Sequence, residues 1–269
     1  MRRELIIGIL AIVILSSFIQ SDGKIENNAF FKGEYLEYKA YFGFIPVGHG
    51  SWKIHETNVN FHDNPSYKVD VFGKTSTWLS IVAPVDDHWM SLVDTSTLVT
   101  HMAYRNLIEG RYKKLDITEF FQEDSLIKVK DFDFDTKTFK EVQEYKMEGI
   151  TRGMISGFMH MRTLDFDKVQ INDTVVIKSF LDDTFYDLEI VCYKREPVET
   201  KAGTFKSVVF RPVMPDNSIF EGEDAILAWI SDDENKIPLK VEAEMFIGHA
   251  GIELADYSGL RNKPALLDD

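Results

Sequence analysis

The sequence predicts a mainly β protein: a large antiparallel sheet, curved or partly closed into a barrel, with one or two short helices. Three observations lead there. Apolar and polar residues alternate through many short stretches, the mark of strands with one buried face. Polar turn clusters separate those stretches at short intervals. Only one stretch repeats with a helical period instead.

The first clear strand is 34–44, with Leu36, Tyr38, Ala40, Phe42 and Phe44 on one face and Glu37, Lys39 and Tyr41 on the other. Gly43, Gly48 and Gly50 around Pro46 then suggest bulges or a hairpin turn. Similar alternation marks 52–56, 67–72, 98–105, 112–121 and 139–147. Within 131–135, three aspartates alternate with Phe132 and Phe134, which reads as a solvated strand face. A calcium loop is a poor match there: its sixth position is Thr136 rather than Gly, and its twelfth is Val142 rather than Glu. The helical stretch is 154–164, with Met154, Phe158 and Met161 on one stripe and Ile155 and Met159 widening it. Gly153 and Gly157 weaken it, at roughly 1 kcal/mol each for an interior position. Strands resume at 174–180, 185–194, 205–213, 225–231 and 237–247. His62-Asp63-Asn64-Pro65, Asn172-Asp173, Asp182-Asp183, Lys201-Ala202-Gly203 and 232–235 supply turns between them.

Residues 1–21 form a separate unit. Arg2 and Arg3 precede an apolar run from Leu5 to Ile19, then Gln20 and Ser21. That is the layout of a secretory signal, with cleavage expected after Ser21. A retained anchor is the alternative, although the run is shorter than the ~20 residues that span a bilayer comfortably. The expected organisation is therefore a signal peptide (1–21), a single β-rich domain (22–260) and a flexible tail (261–269). The expected location is outside the cytoplasm, in the periplasm or cell envelope.

Composition narrows the function. The chain has 269 residues, 44% of them hydrophobic and 13% aromatic, which is ample for a core. Its formal net charge is −14. That balance disfavours nucleic acid and electrostatic docking on anionic lipid, both of which need clustered Lys and Arg. Cys192 is the single cysteine, so no intrachain disulfide can form. It lies in an apolar strand pattern and reads as a buried thiol.

Chemistry-bearing motifs are sparse. The seven histidines show no His-Glu-x-x-His spacing. A zinc site would need distant partners such as His88 and His160. No cofactor motif is present, neither a P-loop nor Gly-x-Gly-x-x-Gly, and no Gly-x-Ser-x-Gly marks a nucleophile. The weak catalytic candidates are Asp87, Asp94, Arg162 and Asp232. Asp87 stands out because Trp78 and Trp89 flank its segment, and a carboxylate among aromatics has a raised pKa. The aromatic and methionine surplus suits binding better. Trp78, Trp89, Met154, Phe158 and Met161 would either line an apolar pocket under a Met-rich helical lid or simply fill the core, as most such residues do.

Several segments resemble one known family. They are Phe31-Lys-Gly-Glu-Tyr-Leu-Glu-Tyr38 followed by Gly43-Phe-Ile-Pro-Val-Gly48, and Asp87-x-x-x-Ser91-x-x-Asp94. Met154-Ile-Ser156 through Met161-Arg162, Trp229-Ile-Ser-Asp-Asp-x-Asn-x-x-Pro238 and Gly248 complete the set. Together they are similar to domain-of-unknown-function family 3108, a group of exported bacterial proteins. This chain carries Gly157, Phe158 and His160 where that pattern has more leucine and tyrosine. The resemblance implies export, a large antiparallel sheet, a Bacteroidetes-like source and a shape similar to lipoprotein-carrier half-barrels. It implies no established activity.

The leading expectation is an exported, non-catalytic binder of a lipid, another apolar or amphipathic molecule, or an envelope protein. One alternative is an envelope hydrolase using the carboxylate and arginine candidates. The other is a structural interaction module in which Arg162 is a buried tie to a carboxylate such as Asp87.

Overall fold

The computed structural model describes residues 23–213, 225–245 and 248–267. The expected signal segment and the end of the expected strand 237–247 lie outside these residues. Among the described residues sixteen strands form: β1 Tyr35–Phe42, β2 Ile45–Ile54, β3 Val59–Phe61, β4 Asn64–Thr75, β5 Asp86–Asp94, β6 Thr100–Glu109, β7 Tyr112–Phe121 and β8 Leu126–Asp133. They continue with β9 Thr138–Phe139, β10 Gln143–Lys146, β11 Thr174–Leu181, β12 Thr184–Thr200, β13 Gly203–Pro212, β14 Ile226–Ser231, β15 Pro238–Met245 and β16 Gly248–Ser258. One α-helix, α1 Met154–Met161, and a single 3-10 turn, Phe166–Lys168, interrupt them.

All ladders are antiparallel, in the order β10-β8-β7-β6-β5-β4-β2-β1-β16-β15-β14-β13-β12-β11, with β3 on β4 and β9 on β8. The sheet is thus two meanders zipped together by β1, which pairs with β2 on one side and β16 on the other. The outermost strands, β10 and β11, form no ladder with each other, so the barrel stays open by hydrogen bonding. The connecting chain stitches the seam instead. Arg152 N–H donates to Lys178 O (2.9 Å), and Phe180 N–H donates to Arg152 O (3.0 Å). Phe180 of β11 packs edge-on against Phe120 of β7 and tilted against Tyr145 of β10. Asp182 takes ion pairs from Arg105 (2.9 Å) and Lys114 (2.6 Å) on the opposite meander.

Helix α1 lies inside this curl. Ile155 and Met159 join one buried core with Leu36, Trp52, Val69, Val209 and Leu254, while Met161 joins a second with Cys192 and Phe210. The helix ends three residues earlier than the periodicity predicts, capped at Arg162. Its buried face also differs. Ile155, Ser156, Gly157, Met159 and Met161 are buried, whereas Met154 is exposed. The reason is enclosure from two sides. Gly153 N–H donates to Thr100 Oγ1 (2.7 Å), and Ser156 Oγ donates to Leu98 O (2.9 Å). A Cβ on Gly157 would stand 3.4 Å from Ile177 Cγ2 on β11. Small residues therefore set the helix position, not the methionine stripe.

Several local expectations are corrected. The stretch 139–147 splits into β9 and β10. Upstream of it, the expected aspartate strand ends at Asp133, whose carboxylate accepts the N–H groups of Asp135 and Thr136 and makes a turn. The strand expected from 98 begins at Thr100, because Leu98 has φ +53°. The first hairpin turns at Gly43 and Phe44, not at Pro46, which sits in β2 beside a register shift. Elsewhere the turn chemistry holds. Asp182 and Asp183 both have positive φ, a two-residue turn matched to strand twist. The C-terminal segment expected to fray runs along β13: Leu267 N–H donates to Thr204 O, and Lys206 N–H to Ala265 O.

Candidate functional site

The four weak catalytic candidates occupy separate surroundings, with one exception. Arg162 is fully buried; its Nη1 and Nη2 donate to Glu34 Oε1 and Oε2 at 2.6 and 2.7 Å. Its Nε donates to Asn235 O (3.0 Å), and its guanidinium lies 5.0 Å from the Phe30 ring centre. The tie expected for Arg162 exists, but its partner is Glu34 rather than Asp87. Asp232 takes both its contacts from Arg195 Nη1, at 2.8 and 2.7 Å. Arg162 and Asp232 share the lining of a polar cavity of about 550 Å³ with Glu26, Asp165 and Lys236.

Asp87 and Asp94 lie near opposite ends of β5, about 23 Å apart at strand rise. Asp87 accepts the Ile108 N–H (3.0 Å) and faces Glu109; burial holds both groups above the usual range, and the Asp87 charge raises Glu109 further. Asp94 accepts from the backbone and hydroxyls of Ser96 and Thr97, all on Oδ1. These bonds hold it below the ordinary carboxylate value against the opposing effect of burial. Its Oδ2 lies 3.6 Å from His101 Nε2, and His101 Nδ1 lies 2.8 Å from Ser66 Oγ. Serine, histidine and aspartate thus meet, but not as a hydrolytic triad. Ser66 is fully buried, and its hydroxyl also lies 3.3 Å from Asn64 O, so no substrate carbonyl reaches it.

The five apolar candidates also divide. Trp89 and Met154 line one narrow cavity of about 30 Å³ at the seam, with Arg105, Asp116 and Asp182, a volume suited to water rather than a ligand. Arg105 lies 5.2 Å from the Trp89 ring and ion-pairs with buried Asp116 (2.9 Å). Phe158 packs edge-on against Trp52 at 5.6 Å and touches both cores. Met161 is core. Trp78 is exposed in the loop between β4 and β5. The helix therefore fills the concavity instead of closing a pocket over it.

Sequence reasoning passed over a larger opening. A groove of about 840 Å³ runs between the β3–β4 turn, the β5–β6 turn, the β7–β8 turn and 149–150. Phe61 stacks on His101 at 6.0 Å and 18°, and His62 lies 6.1 Å from Phe121. Asp94, Glu123 and Asp124 supply carboxylates to the same lining. Burial lowers the His101 pKa and nearby His62 adds to that, while Asp94 opposes both. The clue in the sequence was the clustering of His62 with Phe61, beside a turn. Two further polar centres were also missed. Buried Asp70 is bracketed by His55 Nε2 (2.5 Å) and His88 Nε2 (2.7 Å). Buried Arg152 reaches only the carbonyls of Leu98 and Thr97, and burial lowers its pKa to about 10.

Solved structures match this chain at low sequence identity. A β-barrel-like protein of domain of unknown function DUF1849 from Brucella abortus matches with a TM-score of 0.54 at 10% identity, covering 86% of this chain and 98% of that one. The hypothetical protein CT021 from Chlamydia trachomatis matches with a TM-score of 0.36 at 10% identity, over 90% and 95% of the two chains. A Bacteroides fragilis structure described as an exported protein with a YmcC-like fold gives 0.32 at 8% identity, over 88% and 99%. No protein of curated function matches the sequence. The family model of DUF3108, protein of unknown function, matches residues 37–255, from β1 to β16, and this chain belongs to that family.

Proposed function

We propose that this chain works outside the cytoplasm, in the cell envelope, as a non-catalytic binder of an amphipathic molecule. The groove carries this reading. Its volume lies within the usual range for a ligand site, and its lining pairs an aromatic floor with a polar rim. Phe61, Phe120 and Phe121 offer apolar surface; Asp94, Glu123, Asp124 and the two imidazoles offer acceptors. The matching ligand has an apolar body and a hydrogen-bond-donating or cationic head. The basic and apolar start of the sequence supports export.

Native mass spectrometry of the protein purified from a bacterial envelope tests this. The expected spectrum shows a lipid-sized adduct that Phe121→Asp removes. A clean mass for the wild type removes the binding reading. It then favours an interaction module, consistent with the fully buried Arg162–Glu34 tie. An adduct that survives Phe121→Asp but not Met154→Asp moves the site to the helix seam, where the sequence placed it.

A further inference from the structure

The end of the sheet opposite the groove carries a different surface. Two loops meet there. Gly43–Phe44 joins β1 to β2, and 76–85 joins β4 to β5. The ladder pairs Gly48 with Thr75, and Ser76 N–H donates to Val47 O (2.8 Å), so the loops lie side by side. Phe44 is 93% exposed, Ile81 86% and Val82 82%. Ile45 and Trp78 are exposed beside them. These side chains stand on protruding turns and line none of the cavities described above.

Three further features bear on what covers them. First, neither loop carries charge. Residues 40–48 and 75–85 contain no Asp, Glu, Lys or Arg, in a chain that is 28% charged with a net charge of −14. Second, the longer loop satisfies much of its own backbone. Leu79 and Ser80 N–H donate to Ser76 O, and Val82 and Ala83 N–H donate to Leu79 O, one helical turn. Thr75 N–H donates to Val85 O, Val85 N–H to Thr75 Oγ1, and Ser80 Oγ to Thr77 O. A backbone bonded in this way loses little when water leaves. Third, tryptophan and phenylalanine accompany the aliphatic residues, the mixture that favours the boundary between headgroups and acyl chains.

We propose that these two loop tips insert into the interface of a lipid bilayer, with the groove at the far end facing away from it. Attraction comes from apolar burial, since the net charge repels anionic headgroups. Binding is therefore expected on zwitterionic lipid and to persist at high salt. The inference is independent of the groove reading.

The test uses the full chain with single cysteines labelled by an environment-sensitive fluorophore. Phe44→Cys and Ile81→Cys report on the tips, Asp124→Cys reports on the groove end, and buried Cys192 stays unlabelled in the folded chain. Because each label reports its own surroundings, a vesicle contact made by residues 1–21 does not imitate the signal. With phosphatidylcholine vesicles, the tip labels should shift to the blue and brighten, in low or high salt, while the Asp124→Cys label does not. Adding Val82→Asp should abolish the shift at Phe44→Cys. No tip shift, or an equal shift at Asp124→Cys, overturns the proposal. So does a tip shift that depends on protein concentration without vesicles, which would assign the surface to another protein molecule.

Discussion

Removal of either partner from the Arg162–Glu34 pair is expected to cost far more than removal of a half-buried carboxylate such as Asp87. Both side chains are fully buried, and two charge-assisted bonds of 2.6 and 2.7 Å join them. Glu34→Gln leaves a buried guanidinium without its counter-charge, and Arg162→Met leaves a buried carboxylate. Breaking such a pair from one side costs about 3–5 kcal/mol. Domains have only about 5–15 kcal/mol in total. At ~2–4 °C per kcal/mol for a chain of this size, each single variant should melt about 10 °C lower. Combining Glu34→Gln with Arg162→Met removes both charges, so its loss should fall short of the sum of the singles. Asp87→Asn is the control, since that side chain is only half-buried. Urea denaturation and thermal melts of the four variants decide the matter. An Arg162→Met protein that melts with the wild type, or a strictly additive double variant, would refute the reasoning.

Other outcomes follow from single sites. Burial, reinforced by Arg152, holds His160 at about 4, against an ordinary value of 6.5. The unfolded chain takes that proton first, so stability is full above pH 6.5 and falls as the pH drops toward 4, by about 3 kcal/mol. His160→Gln should flatten that slope in urea midpoints measured from pH 4 to 7; an unchanged slope would place the titration elsewhere. Gly48→Ala should destabilise by about 1–3 kcal/mol, since its Cβ would meet Lys74 O at 2.5 Å and force β2 from β4. A wild-type melting point in that variant would show that the strands yield without cost. Cys192 is fully buried and burial raises its thiol pKa, so aromatic disulfide reagents should modify it only after unfolding; rapid native labelling would contradict this.

The period-two pattern determined the fold class, because alternation along a strand depends on one face meeting a core, wherever the strand sits. Turn residues were equally legible: Asp182-Asp183 and Lys201-Ala202-Gly203 make hairpins through local backbone chemistry. The sequence also offered, as one alternative, a buried tie from Arg162 to a carboxylate, and it placed Cys192 in a buried strand position. It did not determine which carboxylate. Glu34 is 128 residues away in the chain, and only the zipping of both meanders onto β1 brings it near the end of α1. The buried face of the helix was illegible for a related reason. Periodicity shows which residues share a stripe, but the curled sheet encloses α1 from two sides, so Gly157 and Ser156 are buried and Met154 is not. Asp116 carried a readable signal, a charge in phase with Thr118 and Phe120 on the inward face of β7; its partner Arg105 became evident only from the ladder. The groove and the apolar tips were beyond sequence reasoning. Each is built from turns far apart in the chain, and tertiary pairing alone decides which turns gather at which end of the sheet.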